Sequence, residues 1–153
     1  FTVAAPTAQS TTPSAVTSFV DVITTGVTTK SDGTDDVITG LSTAGTAAGY
    51  IYVGNRNSAN ALGFAADSIT VTVAGAGQVC STSAPGVTPT ATSCGTNIKV
   101  SAIGDYMFII QGNGTAGVGT MTISSSVAGW SVTKSATFYA AAPKTINIGD
   151  NSM

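Results

Sequence analysis

The sequence predicts an all-β fold, an antiparallel β-sandwich of about eight to ten short strands. Three observations predict it. Thr, Val, Ile, Tyr and Phe dominate the runs between turns, and these residue types suit a pleated, half-buried surface. Leu occurs only at positions 41 and 62, and no stretch carries the three-to-four spacing of an amphipathic helix. Glycine-containing turn signals recur at short intervals along the chain.

The elements follow in order. Val16–Ile23 is the first strand candidate, Asp36–Leu41 the second, and Gly49–Val53 the third, ended by Gly54-Asn55. Asp67–Val73 alternates cleanly and puts Ile69, Val71 and Val73 on one face. Asn97–Ile103 repeats that pattern, and Tyr106–Gln111, Val118–Ser125, Trp130–Tyr139 and Thr145–Ile148 complete the series. Ser31-Asp32-Gly33, Gly75-Ala76-Gly77, Gly104-Asp105 and Gly112-Asn113-Gly114 punctuate it as turns. Asn55–Ala66 reads as a long loop or a short helical turn. Pro6 and Pro13 keep the first residues extended. The expected organisation is an arm over residues 1–14, a sandwich over 15–140, and a linker or the start of a following unit over 141–153.

Composition narrows the function classes. The chain has 153 residues, which suits one domain. Charged residues make up 8 % of it, against about 25 % in an ordinary soluble domain. There are seven Asp, no Glu and no His, while 26 Thr and 17 Ser supply the polar surface. Without histidine, no Ser-His-Asp or Cys-His nucleophile and no His-ligated zinc site can be built. No catalytic residue is assigned, and the expectation is a protein that is not an enzyme. The basic residues Lys30, Arg56, Lys99, Lys134 and Lys144 are scattered, and the net charge is −2, so nucleic acid is not an expected partner. No apolar run approaches the length of a membrane span. The chain opens on Phe1 with no signal-like segment, as expected of a processed form or a segment of a longer protein.

The last third carries a resemblance. Gly104-Asp105-Tyr106-Met107-Phe108 looks like a strand entry, Gly117-Val118-Gly119-Thr120-Met121-Thr122-Ile123 like the next strand, and Lys134-Ser135-Ala136-Thr137-Phe138-Tyr139 like a closing strand that runs into an Ala/Pro linker. Over roughly residues 97–148 the chain resembles the Ig-like tandem-repeat surface proteins of prokaryotes. The resemblance implies an Ig-like sandwich and a scaffold or attachment role, as in S-layer subunits, adhesins and surface filaments. Residues 1–7 and 138–144 share Phe, Ala, Ala and Pro at an offset of 137, which fits a junction repeated in a domain array.

Several residues are site candidates. Asp32, Asp35 and Asp36 gather three carboxylates within five residues; Ca²⁺ would relieve their repulsion, and a solvated turn is the alternative. Cys80 and Cys94 flank thirteen residues read as a polar loop and are expected to form a disulfide outside the cytosol. Tyr50 with Tyr52, and Tyr106 with Phe108, each share a strand face and serve either the core or a sugar ring. Trp130 reads as a core or inter-domain plug. Asn113-Gly114-Thr115 matches the N-glycosylation pattern, and an Asn-Gly tight turn explains the same residues. Asp67 and Asp105 begin strand candidates and are the one pair on which an Asp-dependent hydrolase would rest.

Taken together, the expectation is a non-enzymatic subunit or repeat of an extracellular, cell-surface assembly, whose partners are copies of itself in a polymer or lattice. The alternative is a carbohydrate-binding, adhesin or viral decoration module. The argument for assembly is charge scarcity: faces covered by neighbours need no charge for solubility.

Overall fold

The computed structural model describes residues 10–24, 34–62, 66–83 and 89–140. These build ten strands and, among the described residues, no helix: β1 (Phe19–Ile23), β2 (Ile38–Leu41), β3 (Ala47–Gly54), β4 (Asp67–Gly75), β5 (Gln78–Thr82), β6 (Ala91–Gly95), β7 (Asn97–Ala102), β8 (Tyr106–Gln111), β9 (Gly117–Ser125) and β10 (Ser131–Tyr139). The strands form two five-stranded sheets, ordered β1-β3-β8-β5-β6 and β2-β10-β9-β4-β7. The protein is therefore an all-β sandwich. All pairings are antiparallel except β2 with β10, which runs parallel.

The strand order has the immunoglobulin arrangement. In chain order β1, β3, β4, β5, β8, β9 and β10 occupy the places of strands A to G, with A-B-E-D in one sheet and G-F-C in the other. β6 and β7 are inserted between the fourth and fifth of these. β2 lies beside β10 because the chain changes sheets before it: the Asp36 N–H still bonds the Val22 carbonyl of β1 at 2.8 Å, and two residues later Ile38 joins β10.

One apolar layer joins the sheets. Val20 and Val22, Ile51 and Val53, Val79, and Phe108 and Ile110 point inward from the first sheet. Ile69, Val71 and Val73, Ile98, Met121, Ile123, Ala136 and Phe138 meet them from the second. Each set follows the two-residue period of its strand. At the β4–β5 turn, Gly75 and Gly77 both hold φ +86°, in a region that side chains disfavour. The turn presses Ala76 onto β9, and a Cβ on Gly119 would collide with the Ala76 carbonyl oxygen.

The structure corrects the sequence reading in places. The stretch between the cysteines is not wholly loop, because β5 continues through Ser81 and Thr82 and β6 begins at Ala91. β6 is an edge strand with four of its five side chains exposed, so it needs no apolar alternation, and none was there to be read. The first strand begins at Phe19, because Ala15–Thr17 turn, with the Ser18 N–H bonding the Ser14 carbonyl at 3.0 Å. Residues 55–62 contain isolated bridges and a turn, with no helix. The Thr145–Ile148 candidate and the residues 1–7 that match 138–144 lie outside the described residues.

Phe108 is fully buried at the centre of the layer. Phe108→Ala is expected to cost about 3–5 kcal/mol, read as a lower urea midpoint with an unchanged slope.

Candidate functional site

Each candidate residue has a definite place. Cys80 and Cys94 face each other across β5 and β6 and are disulfide-bonded. The bond lies within one sheet, on its outer face, and not between the sheets as in antibody domains. Gln111, on the same face of β8 two residues beyond Ile109, the partner of Cys80, was not singled out in the sequence. Its Nε2 lies 2.7 Å from Cys80 Sγ and 3.0 Å from Cys94 Sγ, and its Oε1 accepts the Gly45 N–H at 3.0 Å. The disulfide is thus tied to the β2–β3 turn. A glutamine at a strand end carries no sequence signal for this role, since only the strand pairing brings it to the bridge.

Asp35 and Asp36 lie where the chain crosses between sheets, and they serve different partners. Asp35 accepts the Val22 N–H at 3.1 Å and is held by Lys134 Nζ at 2.8 and 2.7 Å. Asp36 accepts the Thr24 N–H at 2.7 Å and its hydroxyl at 2.8 Å. Both line a cleft of about 380 Å³ with Val22, Thr120, Thr133, Lys134 and Ser135. Asp32 lies outside the described residues, and among those described no group of three metal-ligating side chains converges. With Lys134 already balancing it, Asp35 ties β1 to β10, while Asp36 holds Thr24 at the end of β1.

The tyrosine pairs separate by sheet face. Tyr106 and Phe108 turn inward, with ring centroids 4.8 Å apart. The Tyr106 hydroxyl accepts the Thr82 N–H at 3.0 Å and donates to the Thr82 carbonyl at 2.8 Å. Tyr50 and Tyr52 point outward and join Phe19, Ile23 and Met107 in a second apolar cluster on the outer face of the first sheet. Trp130 packs against the main core.

Asp67 and Asp105 belong to separate networks. Asp67 is 1 % exposed; it accepts the Ser125 hydroxyl and, at 3.0 Å, the Val127 N–H, which closes the β9–β10 turn onto β4. Asp105 accepts the Tyr52 hydroxyl at 2.5 Å and is clasped by both terminal nitrogens of Arg56, whose guanidinium lies 5.6 Å over the Phe19 ring. Burial, reinforced by the Asp105 bond, pushes the Tyr52 hydroxyl up to about 12. Arg56 is raised as well: burial opposes its charge, and the hydrogen bond and charge of Asp105, together with Tyr52, outweigh that.

What remains for function is the surface. The outer face of the second sheet is a hydroxyl field: Thr133, Thr122 and Thr72 lie side by side across β10, β9 and β4 and run on to Asn97 of β7. Beside this field is an apolar corner. Leu41 pairs with Tyr139, Val118 pairs with Thr137, and all three apolar side chains stand about half exposed or more. At the opposite end, Val16 is 93 % and Ile103 66 % exposed. Among the described residues, Lys99 is the only charged side chain that no hydrogen bond or ion pair engages.

No family model matches the chain, and neither the curated proteins nor the solved structures contain a significant match to it.

Two measurements test this description. Replacing both cysteines by serine is expected to cost about 3 kcal/mol, from the loop entropy returned to the unfolded chain, with the fold retained in circular dichroism. In an alkaline titration, one of the four tyrosines is expected to ionise late, near pH 12. Because the folded chain holds that proton more tightly, Tyr52 adds stability below pH 10 that is lost between about pH 10 and 12. Tyr52→Phe is expected to remove both the late phenolate absorbance and that part of the alkaline loss of stability.

Proposed function

We propose that this protein is a non-enzymatic subunit or repeat of an extracellular assembly, an S-layer or surface filament, in which copies of the chain contact one another through their faces. One observation carries the reading. The charges of the described residues are almost all spent on internal ties, so the surface of those residues is hydroxyl-rich, poor in free charge and studded with exposed Val, Leu, Ile and Tyr. A freely diffusing domain relies on charge to keep its faces and strand edges apart. Here β2 and β6 are edge strands with no charged residue at all.

The apolar corner of Leu41, Val118 and Tyr139 is a contact of the size that seeds a larger interface, and hydroxyls and small side chains around it allow close approach of a flat neighbour. The apolar residues at the far end let the contact be heterologous, so that it repeats without closing. The disulfide supports an oxidising, extracellular location. The resemblance of the last third to Ig-like surface repeats points the same way.

Sedimentation of the full-length protein tests the proposal. Concentration-dependent polymers are expected, with more than about 1,000 Å² covered per contact. Val118→Lys together with Tyr139→Lys is expected to disperse them, with stability changed by no more than about 0.5 kcal/mol per site. A wild-type chain that stays monomeric at high concentration would overturn the reading in favour of a binding module.

A further inference from the structure

We propose that Asn113 is an N-glycosylation site, whose side-chain amide takes an oligosaccharide from a lipid-diphosphate-linked donor. The seven asparagines of the chain include one in an Asn-x-Ser/Thr context, Asn113-Gly114-Thr115. An Asn-Gly hairpin turn is the competing account of those residues. In its type I′ form it requires a positive φ at the asparagine. Among the described residues, Asn60 is the only non-glycine residue with positive φ, and β8 and β9 belong to different sheets, so this loop is no type I′ hairpin; the turn it makes is an Asx turn, which uses Oδ1 of Asn113 and leaves Nδ2 available. The left-handed position belongs to Gly114, at φ +96°.

The loop presents the acceptor side chain. Asn113, Gly114 and Thr115 are all exposed, in the connection between β8 and β9. The base of this loop is anchored: Gly112 packs against the Leu41 and Ser42 backbone, leaving no room for a Cβ, and the Gly114 N–H donates to the Ser42 carbonyl at 2.6 Å. Asn113 Oδ1 accepts the Thr115 N–H at 3.0 Å, which sets the orientation of the amide. No hydrogen bond among the described residues engages Asn113 Nδ2 or the Thr115 hydroxyl. The amide nitrogen and the hydroxyl that a glycosyltransferase reads are therefore both free, on residues open to solvent.

The step balances simply. Nδ2 attacks C1 of the first sugar, a C–N bond forms, and the C1–O bond to the diphosphate breaks. The lipid diphosphate leaves with the bonding electrons, and the amide proton passes to a base of the oligosaccharyltransferase. A glycan here would stand at one end of the sandwich, away from the strand pairings, and would restore hydration to a surface poor in charge. The inference rests on the extracellular location proposed above and not on assembly; the loop lies against Leu41 and Ser42, so a glycan here would border the Leu41, Val118 and Tyr139 corner.

Peptide mass mapping of the protein secreted by its own cells tests it. The expected result is a peptide carrying an oligosaccharide on Asn113, which glycosidase release in heavy-oxygen water converts to labelled Asp. Asn113→Gln and Thr115→Ala should each remove the added mass, and Thr115→Ser should keep it. All three should melt with the wild type. An unmodified Asn113, an Asn113 that is only deamidated, or an added mass that survives in Asn113→Gln would overturn the proposal.

Discussion

The apolar layer between the two sheets is the constraint on which the rest of the structure depends. It is built mainly from Val and Ile, with alanines at close approaches and Phe108, Phe138 and Met121 filling the wider gaps. Val and Ile side chains have few rotamers to lose and fit a pleated surface closely. A layer of this kind needs both sheets at a fixed spacing, and the turn around Ala76 supports that spacing by letting backbone meet backbone at Gly119. The disulfide, the Asp67 network and the Arg56–Asp105 pair all lie around this layer. They tie turns and edges to sheets whose positions the core already determines.

The use of charge is the second organising feature. Four of the five acids of the described residues have named partners: Asp35 holds Lys134, Asp36 holds Thr24, Asp67 holds Ser125, and Asp105 holds Arg56 and Tyr52, while Asp21 is buried in β1. These groups work as local fasteners at crossovers and turns, where the backbone would otherwise leave donors unpaired. A consequence is that little charge is left to face outward. The hydroxyls that replace it form hydrogen bonds to water or to a neighbour with equal ease, and they raise no electrostatic barrier to contact. A surface of that composition tolerates apposition in a way that a lysine- and glutamate-rich surface does not.

The two sheets differ in how their outer faces are finished, and the difference was already legible in the strands. β4 and β9 alternate, so one face is mostly apolar and the other mostly threonine and serine, with Val118 the apolar exception on the outside. β8 reads Tyr-Met-Phe-Ile-Ile-Gln, a near-continuous apolar run, and it is buried on both faces. Met107 and Ile109 are as inaccessible as the inward Phe108 and Ile110. The period of the hydrophobic pattern thus announced which sheet is one-sided and which is two-sided. The same logic explains the miss at β6, an exposed edge whose sequence of small and polar residues carries no period.

The sequence by itself determined the all-β class, most of the strands, the inward set of each, and the poverty of charge. Those properties follow from local spacing and composition, which need no knowledge of what packs where. Only the tertiary structure decided the partners. It put Lys134 on Asp35, ninety-nine positions away, Arg56 on Asp105, and Gln111 on the disulfide. It sent Tyr52 outward and Tyr106 inward, although each stands in a similar aromatic pair. It showed that Asn113 makes its turn through Oδ1 alone, with the positive φ at Gly114. Such choices depend on strand order and register. Register couples residues that are far apart in the chain, and a sequence pattern of period two says which face a side chain takes but not what lies opposite it.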